Sequence, residues 1–219
     1  MRKFSRGLEP TRLTKIKNKK NTRRWDDLSR SEEGIAVKEE IRNALCDAQH
    51  GCCAYCEVRL KRKSGKLDAH IEHLRRRSDN PKLEFDWENL FLSCCNTDSC
   101  GRFKDYNQIV FSVEDIIDPS KEDPQDFFEY SVVDGRILTK KASERNMRRS
   151  QETIRVFNLS ESQRLKGIRG RIAIIVGDFL KTEPSAEDVD DFLTAHKESD
   201  CFSVYCFLLQ RKTQDFDRR

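Results

Sequence analysis

Between Ser31 and His50, Val37, Ile41, Ala44, Leu45 and Ala48 recur at the spacing of a helix with one buried face. Ser31 can cap it, Glu32 and Glu33 suit the positive end of its dipole, and Gly51 supplies a left-handed stop. Residues 67–74, Leu-Asp-Ala-His-Ile-Glu-His-Leu, read as a short strand, and 127–139 as a hairpin about Asp134-Gly135. Helical spacing then returns over Ser143 to Phe157, Ser160 to Leu180, Ser185 to His196 and Phe202 to Phe216. In the second of these, Leu165, Ile168, Ile172, Ile175, Val176 and Phe179 form a broad apolar stripe. Gly7, Pro10 and the run 18–21 interrupt any period near the start, so residues 1–30 predict an extended arm. The pattern predicts an α+β protein: arm 1–30, a domain over 31–110, an acidic linker and hairpin over 111–140, and a mainly helical C-terminal region over 141–219. That last region either packs on the first domain or docks a partner.

Composition adds a polar surface to this outline. With 219 residues the chain can bury a core without disulfides, but only 36% is hydrophobic against 37% charged. The net charge of +4 conceals an asymmetry. Arg2, Lys3, Arg6, Arg12, Lys15, Lys17, Lys19, Lys20, Arg23, Arg24 and Arg30 crowd the arm, whereas 115–129 and 183–191 are acidic. Such segregation predicts a nucleic-acid face reached through phosphates, with the acidic runs as solvated helix faces or a partner surface. No apolar run resembles a signal sequence or a membrane span, which predicts no membrane partner and a cytoplasmic location.

In a reduced compartment nine cysteines point to metal rather than disulfides. Cys53-x2-Cys56 is the spacing at which two thiolates reach one tetrahedral ion, and Cys100 with either Cys94 or Cys95 can complete a closed site. Cys46, Cys52, Cys201 and Cys206 read as core residues. Between the cysteine pairs, Glu72 can hold a hard divalent ion and the adjacent His73 can take a proton from water. Asn89 can bridge backbone groups and fix the orientation of His73. His70 would lie on the opposite strand face from His73, as a surface or supporting residue. Arg75, Arg76 and Arg77 follow the strand where phosphates would pass.

Together, Cys53-x2-Cys56, Glu72-His73, Asn89-Leu90, Cys94 and Cys100-Gly-Arg-Phe-Lys104 resemble an HNH endonuclease of the ββα-metal type, framed by a zinc knuckle of four cysteines. Cys-Ala-Tyr-Cys-Glu, Ile-Glu-His, Phe85-Asp-Trp-x-Asn-Leu and Gly7-x-Glu-Pro-x-x-Leu13 resemble more specifically the HNH subunit of Septu and retron-linked anti-phage systems. The resemblance implies structural Zn2+ on Cys53, Cys56, Cys94 and Cys100, with Cys95 left as a thiol. It implies catalytic Mg2+ or Mn2+ at Glu72, water activated by His73, and products with a 5′-phosphate and a 3′-hydroxyl. Lys104 would join Arg75, Arg76 and Arg77 on the nucleic acid. The family places Asn or His where this chain has Gly101; Asp105, on the same face of a helix starting near Cys100, is the substitute metal ligand, with Asn96 as the alternative. The implied partners are an ABC or SMC-like ATPase subunit and a retron reverse transcriptase with its RNA/DNA. The expected function is a DNA endonuclease within a defence complex. Its alternatives are an RNA (tRNA) nuclease of the same kind and an inactive zinc-stabilised nucleic-acid binding module.

Overall fold

The structure is a computed structural model, and it describes residues 1–18, 24–63 and 65–216. Lys19, Lys20 and Arg23 of the basic arm lie outside those residues. Helix α1 spans Thr11–Lys17 and α2 spans Glu32–Ala48, with a 3-10 turn at Trp25–Arg30 between them. Ser31 caps α2, its hydroxyl accepting from Gly34 N at 3.1 Å. The helix stops at a left-handed pair, His50 (φ 56°) and Gly51 (φ 69°), where Gly51 N donates to Cys46 O at 2.8 Å. Gly34 is required by packing: a Cβ there would lie 2.2 Å from the Leu28 carbonyl oxygen of the preceding turn.

A small hairpin follows, β1 (Arg62–Lys63) with β2 (Lys66–Leu67), and then the strand pair on which Glu72 and His73 lie. Strand β3 (Ala69–His73) runs antiparallel to β4 (Leu90–Cys94), with Glu72 opposite Phe91 and His70 opposite Ser93. Helix α3 (Cys100–Tyr106) begins at the last of the four cysteines read as a zinc knuckle and packs on β4. Beyond it lie the hairpin β5 (Phe128–Tyr130) and β6 (Ile137–Thr139), then α4 (Glu144–Val156), α5 (Gln163–Leu180), α6 (Ala186–His196) and α7 (Phe202–Phe216). Mixed α and β content in small antiparallel pairs matches the expected α+β class.

Strand β4 separates two apolar cores. Leu90 and Leu92 face one, with Leu13, Trp25, Ile41 and Leu45; Phe91 faces the other, with the cysteine loops and the C-terminal helices. Alternation along a strand sends successive side chains to opposite faces, so one short strand can serve both. In the second core Tyr55, between Cys53 and Cys56, stacks on Phe157 at 3.9 Å between ring centroids. Glu57 caps the start of α7, accepting from Ser203 N at 2.9 Å, and its carbonyl accepts from Cys201 N at 2.9 Å.

Residues 1–18 depart from the extended arm. Met1, Phe4, Leu13 and Ile16 are buried, Phe4 N donates to Pro119 O at 3.0 Å, and Arg6 Nη1 donates to Leu90 O at 2.6 Å. These apolar residues sit singly among lysines and arginines, so no run of hydrophobics marks them, yet each finds a core pocket. Arg12, Lys15 and Lys17 remain on the outer face. The acidic segment after α3 is also packed: Ile116 and Ile117 are buried, and α4 neutralises its carboxylates through Arg148–Asp115 at 2.8 Å and Arg149–Glu122 at 2.5 Å. No helix among the described residues is long and apolar enough to cross a membrane.

Candidate functional site

Two loops bring Cys53, Cys56, Cys94 and Cys100 together. All four are buried, none forms a disulfide, and one sulfur from each lies within 4.8 Å of the others. Cys56 Sγ and Cys94 Sγ are 3.9 Å apart. Sulfurs bound at about 2.3 Å to one tetrahedral ion are separated by about 3.8 Å, so the donor set fits a closed four-thiolate centre. Cys94 lies in the cluster, while Cys95 is half-buried and outside it. Cys100 is held at φ 63°, its amide donating to Phe157 O at 2.8 Å. The cluster therefore fixes where α3 starts relative to β4.

From this start α3 runs past β3. Gly101 N donates to Ser93 Oγ at 3.2 Å, and the backbone of Gly101 lies so close to Glu72 that a Cβ there would stand 2.3 Å from Oε2. Lys104, one turn on, is completely buried. Its ammonium lies 2.8 Å from Glu72 Oε1, donates to Asp105 Oδ1 at 2.6 Å and to His73 O at 3.3 Å. Lys104 thus faces inward onto the carboxylates and has no surface to offer a phosphate.

Glu72 is itself 1% exposed. Burial pushes its carboxyl up, but Lys104 and then His70 outweigh this and hold it below the ordinary carboxylate value. Its two oxygens have different neighbours: Oε1 faces Lys104 without the alignment of a hydrogen bond, while Oε2 lies 3.1 Å from His70 Nε2. His70 shares this face because residues two apart on a strand point the same way. Sequence reasoning set His70 aside by comparing it with His73; comparison with Glu72 was the signal that finds it.

His73 closes β3. Its Nε2 is 3.0 Å from the Glu84 carbonyl, and its ring meets Trp25 edge-on at 4.6 Å. A carbonyl only accepts, so Nε2 carries the proton and the neutral ring keeps its lone pair on Nδ1. Burial, with Arg77 adding repulsion, lowers the imidazole from 6.5 to about 4. At neutral pH this side chain is an unprotonated base. Asn89 is wholly buried and makes only backbone contacts: Oδ1 accepts from Arg75 N at 2.7 Å, and Nδ2 donates to Arg75 O at 3.0 Å and Leu83 O at 3.2 Å. It pins the chain leaving β3 to the segment that carries Glu84, which sets the position of His73.

Glu72, His70, His73 and Asp105 line one open cleft of about 790 Å3, whose rim includes Arg76, Arg77 and Arg102. Arg76 donates to Lys104 O at 2.6 Å and lies 3.3 Å from Asp105, and Arg77 pairs with Asp26 at 2.8 Å. The Arg75 side chain has no hydrogen bond or ion pair among the described residues and faces a neighbouring depression of about 340 Å3 with Phe111. Asp105 is turned to Lys104 and Arg76 and does not gather with Glu72 and His70 into a set of three ligands. Asn96 is exposed and outside the cleft. The arrangement offers a buried carboxylate, an imidazole beside it, a second imidazole poised as a base, and arginines at the mouth. That set can bind a cation and a phosphate and take a proton from water.

No protein-family model matches the chain. It is similar to a protein of Escherichia coli named retron Ec83 putative HNH endonuclease, with 24% identity over 161 residues, 63% of this chain and 62% of that protein. The chain thus spans less than two thirds of that relative's length. The similarity supports a nuclease related to the HNH group.

Proposed function

We propose that this protein is a metal-dependent HNH endonuclease that hydrolyses phosphodiester bonds, with β3, β4 and α3 as its ββα-metal core and Zn2+ on the four cysteines. The observation that carries the reading is His73: a neutral imidazole whose tautomer is set by Glu84, next to a buried carboxylate in an arginine-rimmed cleft. Nδ1 of His73 takes a proton from the attacking water as its oxygen bonds to phosphorus and the bond from phosphorus to the 3′-oxygen breaks, that oxygen leaving as a hydroxyl after taking a proton from solvent. Asn89 and the Glu84 carbonyl hold the ring in place and leave Nδ1 with its free lone pair. Glu72 would hold a divalent ion such as Mg2+ or Mn2+, which when bound supplies charge stabilisation to the phosphoryl and leaving oxygens. Lys104 holds Glu72 ionised and in place, while Arg75, Arg76, Arg77 and Arg102 receive the flanking phosphates.

DNA is the substrate we propose, with RNA such as tRNA as the close alternative, since the groups at the rim read phosphates common to both. Work within an anti-phage complex with an ABC or SMC-like ATPase rests on the resemblance of the motifs. A retron reverse transcriptase with its RNA/DNA as a further partner rests on the same resemblance. Two observations favour a second reading, an inactive zinc-stabilised binding module: the Lys104 ammonium already pairs with Glu72, and Gly101 brings no ligand. The test is cleavage of plasmid DNA and total tRNA with Mg2+ or Mn2+. His73→Ala should lower the rate by about 10²–10⁴-fold with bound zinc unchanged. Equal nucleic-acid binding by both proteins, with no cutting by either, would transfer the conclusion to the binding module.

A further inference from the structure

We propose that His70 is a direct ligand of the divalent ion, paired with Glu72, in place of a ligand from α3; this inference rests on the nuclease reading above. His70 Nε2 and Glu72 Oε2 are 3.1 Å apart. Neighbouring ligands of an octahedral ion with arms of 2.0–2.1 Å are separated by about 3 Å, so the pair already has the spacing of two adjacent coordination positions. Both residues sit on β3 and face the cleft, held by the pairing of His70 with Ser93 and Glu72 with Phe91. A strand fixed by a partner strand keeps such a spacing better than a loop does.

The other candidates fall away on geometry. The first turn of α3 cannot add a side chain at Gly101, because its Cβ would stand 2.3 Å from Glu72 Oε2. Asp105 is drawn to Lys104 at 2.6 Å and Arg76 at 3.3 Å. Lys104 occupies the Oε1 side of Glu72 and leaves Oε2, the oxygen beside His70, for the ion. His70 Nδ1 is buried with no partner among the described residues, so no second hydrogen bond among them accounts for the placement of this ring. An imidazole–carboxylate pair also suits Mn2+ and softer ions better than Mg2+, which prefers oxygen alone.

The experiment is titration of the zinc-loaded protein with Mn2+, read by electron spin resonance with echo modulation from directly bound nitrogen. His70→Gln keeps a donor toward Glu72 but removes the imidazole. The wild type should bind one Mn2+ with imidazole modulation in the cleft. His70→Gln should lose the modulation and bind at least about tenfold more weakly, since even partners outside the coordination shell are worth that much. His73→Ala should keep the modulation. Modulation that survives in His70→Gln, or that disappears only in His73→Ala, overturns the proposal, as does the absence of bound Mn2+. Cleavage assays on the same proteins separate the two readings: Mn2+-dependent cutting abolished by His73→Ala but untouched by His70→Gln leaves the nuclease standing and removes His70 from it.

Discussion

The surroundings of His73 make its protonation expensive. The ring is buried against Trp25 and faces Arg77, which together outweigh the hydrogen bond from Nε2 to the Glu84 carbonyl, so the imidazolium is disfavoured and the value falls to about 4. Cleavage should accordingly keep its kcat/KM from pH 7.5 down to about pH 5.5 and fall about tenfold per pH unit only below about 4, where an ordinary histidine would already have failed near 6.5. The same shift links to stability. The folded value is depressed, so between pH 6.5 and about 4 the unfolded chain binds the proton and the folded chain does not. Stability present above 6.5 is therefore lost as pH falls through that window, by on the order of 3 kcal/mol in all. Urea midpoints at pH 7 and pH 5 should separate more in the wild type than in His73→Gln; equal separations would refute the linkage. At this scale the common placement of Glu72 and His73 and the backbone bridge made by Asn89 were legible from residue type and spacing. The inward turn of Lys104 was not, because nothing in the order of residues says that α3 passes the far side of β3.

Among the elements, helices were the most legible, and for a physical reason. Ser31, Ser143 and Ser185 stand at the starts expected from the pattern and each accepts a backbone N–H of the following turn; for α5 the cap is Ser162 rather than Ser160. Caps and apolar periodicity are local, so the chain states them locally. The approach of α3 to β3 is not local, and Gly101 is where it matters. The longer side chain of Glu72 takes up the room that a side chain at 101 would use, which makes the two positions a coupled pair. Gly101→Ala should displace the Glu72 carboxylate from Lys104 and His70, costing about 1–3 kcal/mol of stability along with Mn2+ affinity. Adding Glu72→Asp withdraws the clashing group by one methylene. The double variant should recover at least about 1 kcal/mol relative to the sum of the two single losses in urea unfolding. Strict additivity of the two changes would mean that the contact is relieved elsewhere.

For the molecule as a whole, the four-cysteine cluster is the seam between the parts. Sequence spacing grouped Cys53, Cys56 and Cys100 with Cys94 or Cys95, read an acidic linker after them, and left the C-terminal helices either packed on the first domain or docking a partner. In the fold those segments share one core with it: Tyr55 stacks on Phe157, Cys100 N bonds to Phe157 O, Glu57 holds the start of α7, and Asp98 accepts from Ser162 Oγ at 2.5 Å at the start of α5. None of these contacts is readable from composition, because each joins residues far apart in the chain through a loop whose shape the cluster imposes. Without an ion, four buried sulfurs within 4.8 Å would have to share that space as thiols and repelling thiolates. Stripping Zn2+ with a chelator should then collapse the nuclease core and the C-terminal helices in one transition. The loss of helical circular dichroism and the release of metal should coincide, and Cys100→Ser should behave as the stripped protein does. A C-terminal region that kept its helicity and its own melting transition after zinc release would show that α4 to α7 fold independently and only rest against the knuckle. The shared core argues otherwise: removing the ion frees Cys100 from its left-handed position, and with it go the start of α3, the placement of Lys104 beside Glu72, and the surface on which Phe157 is stacked.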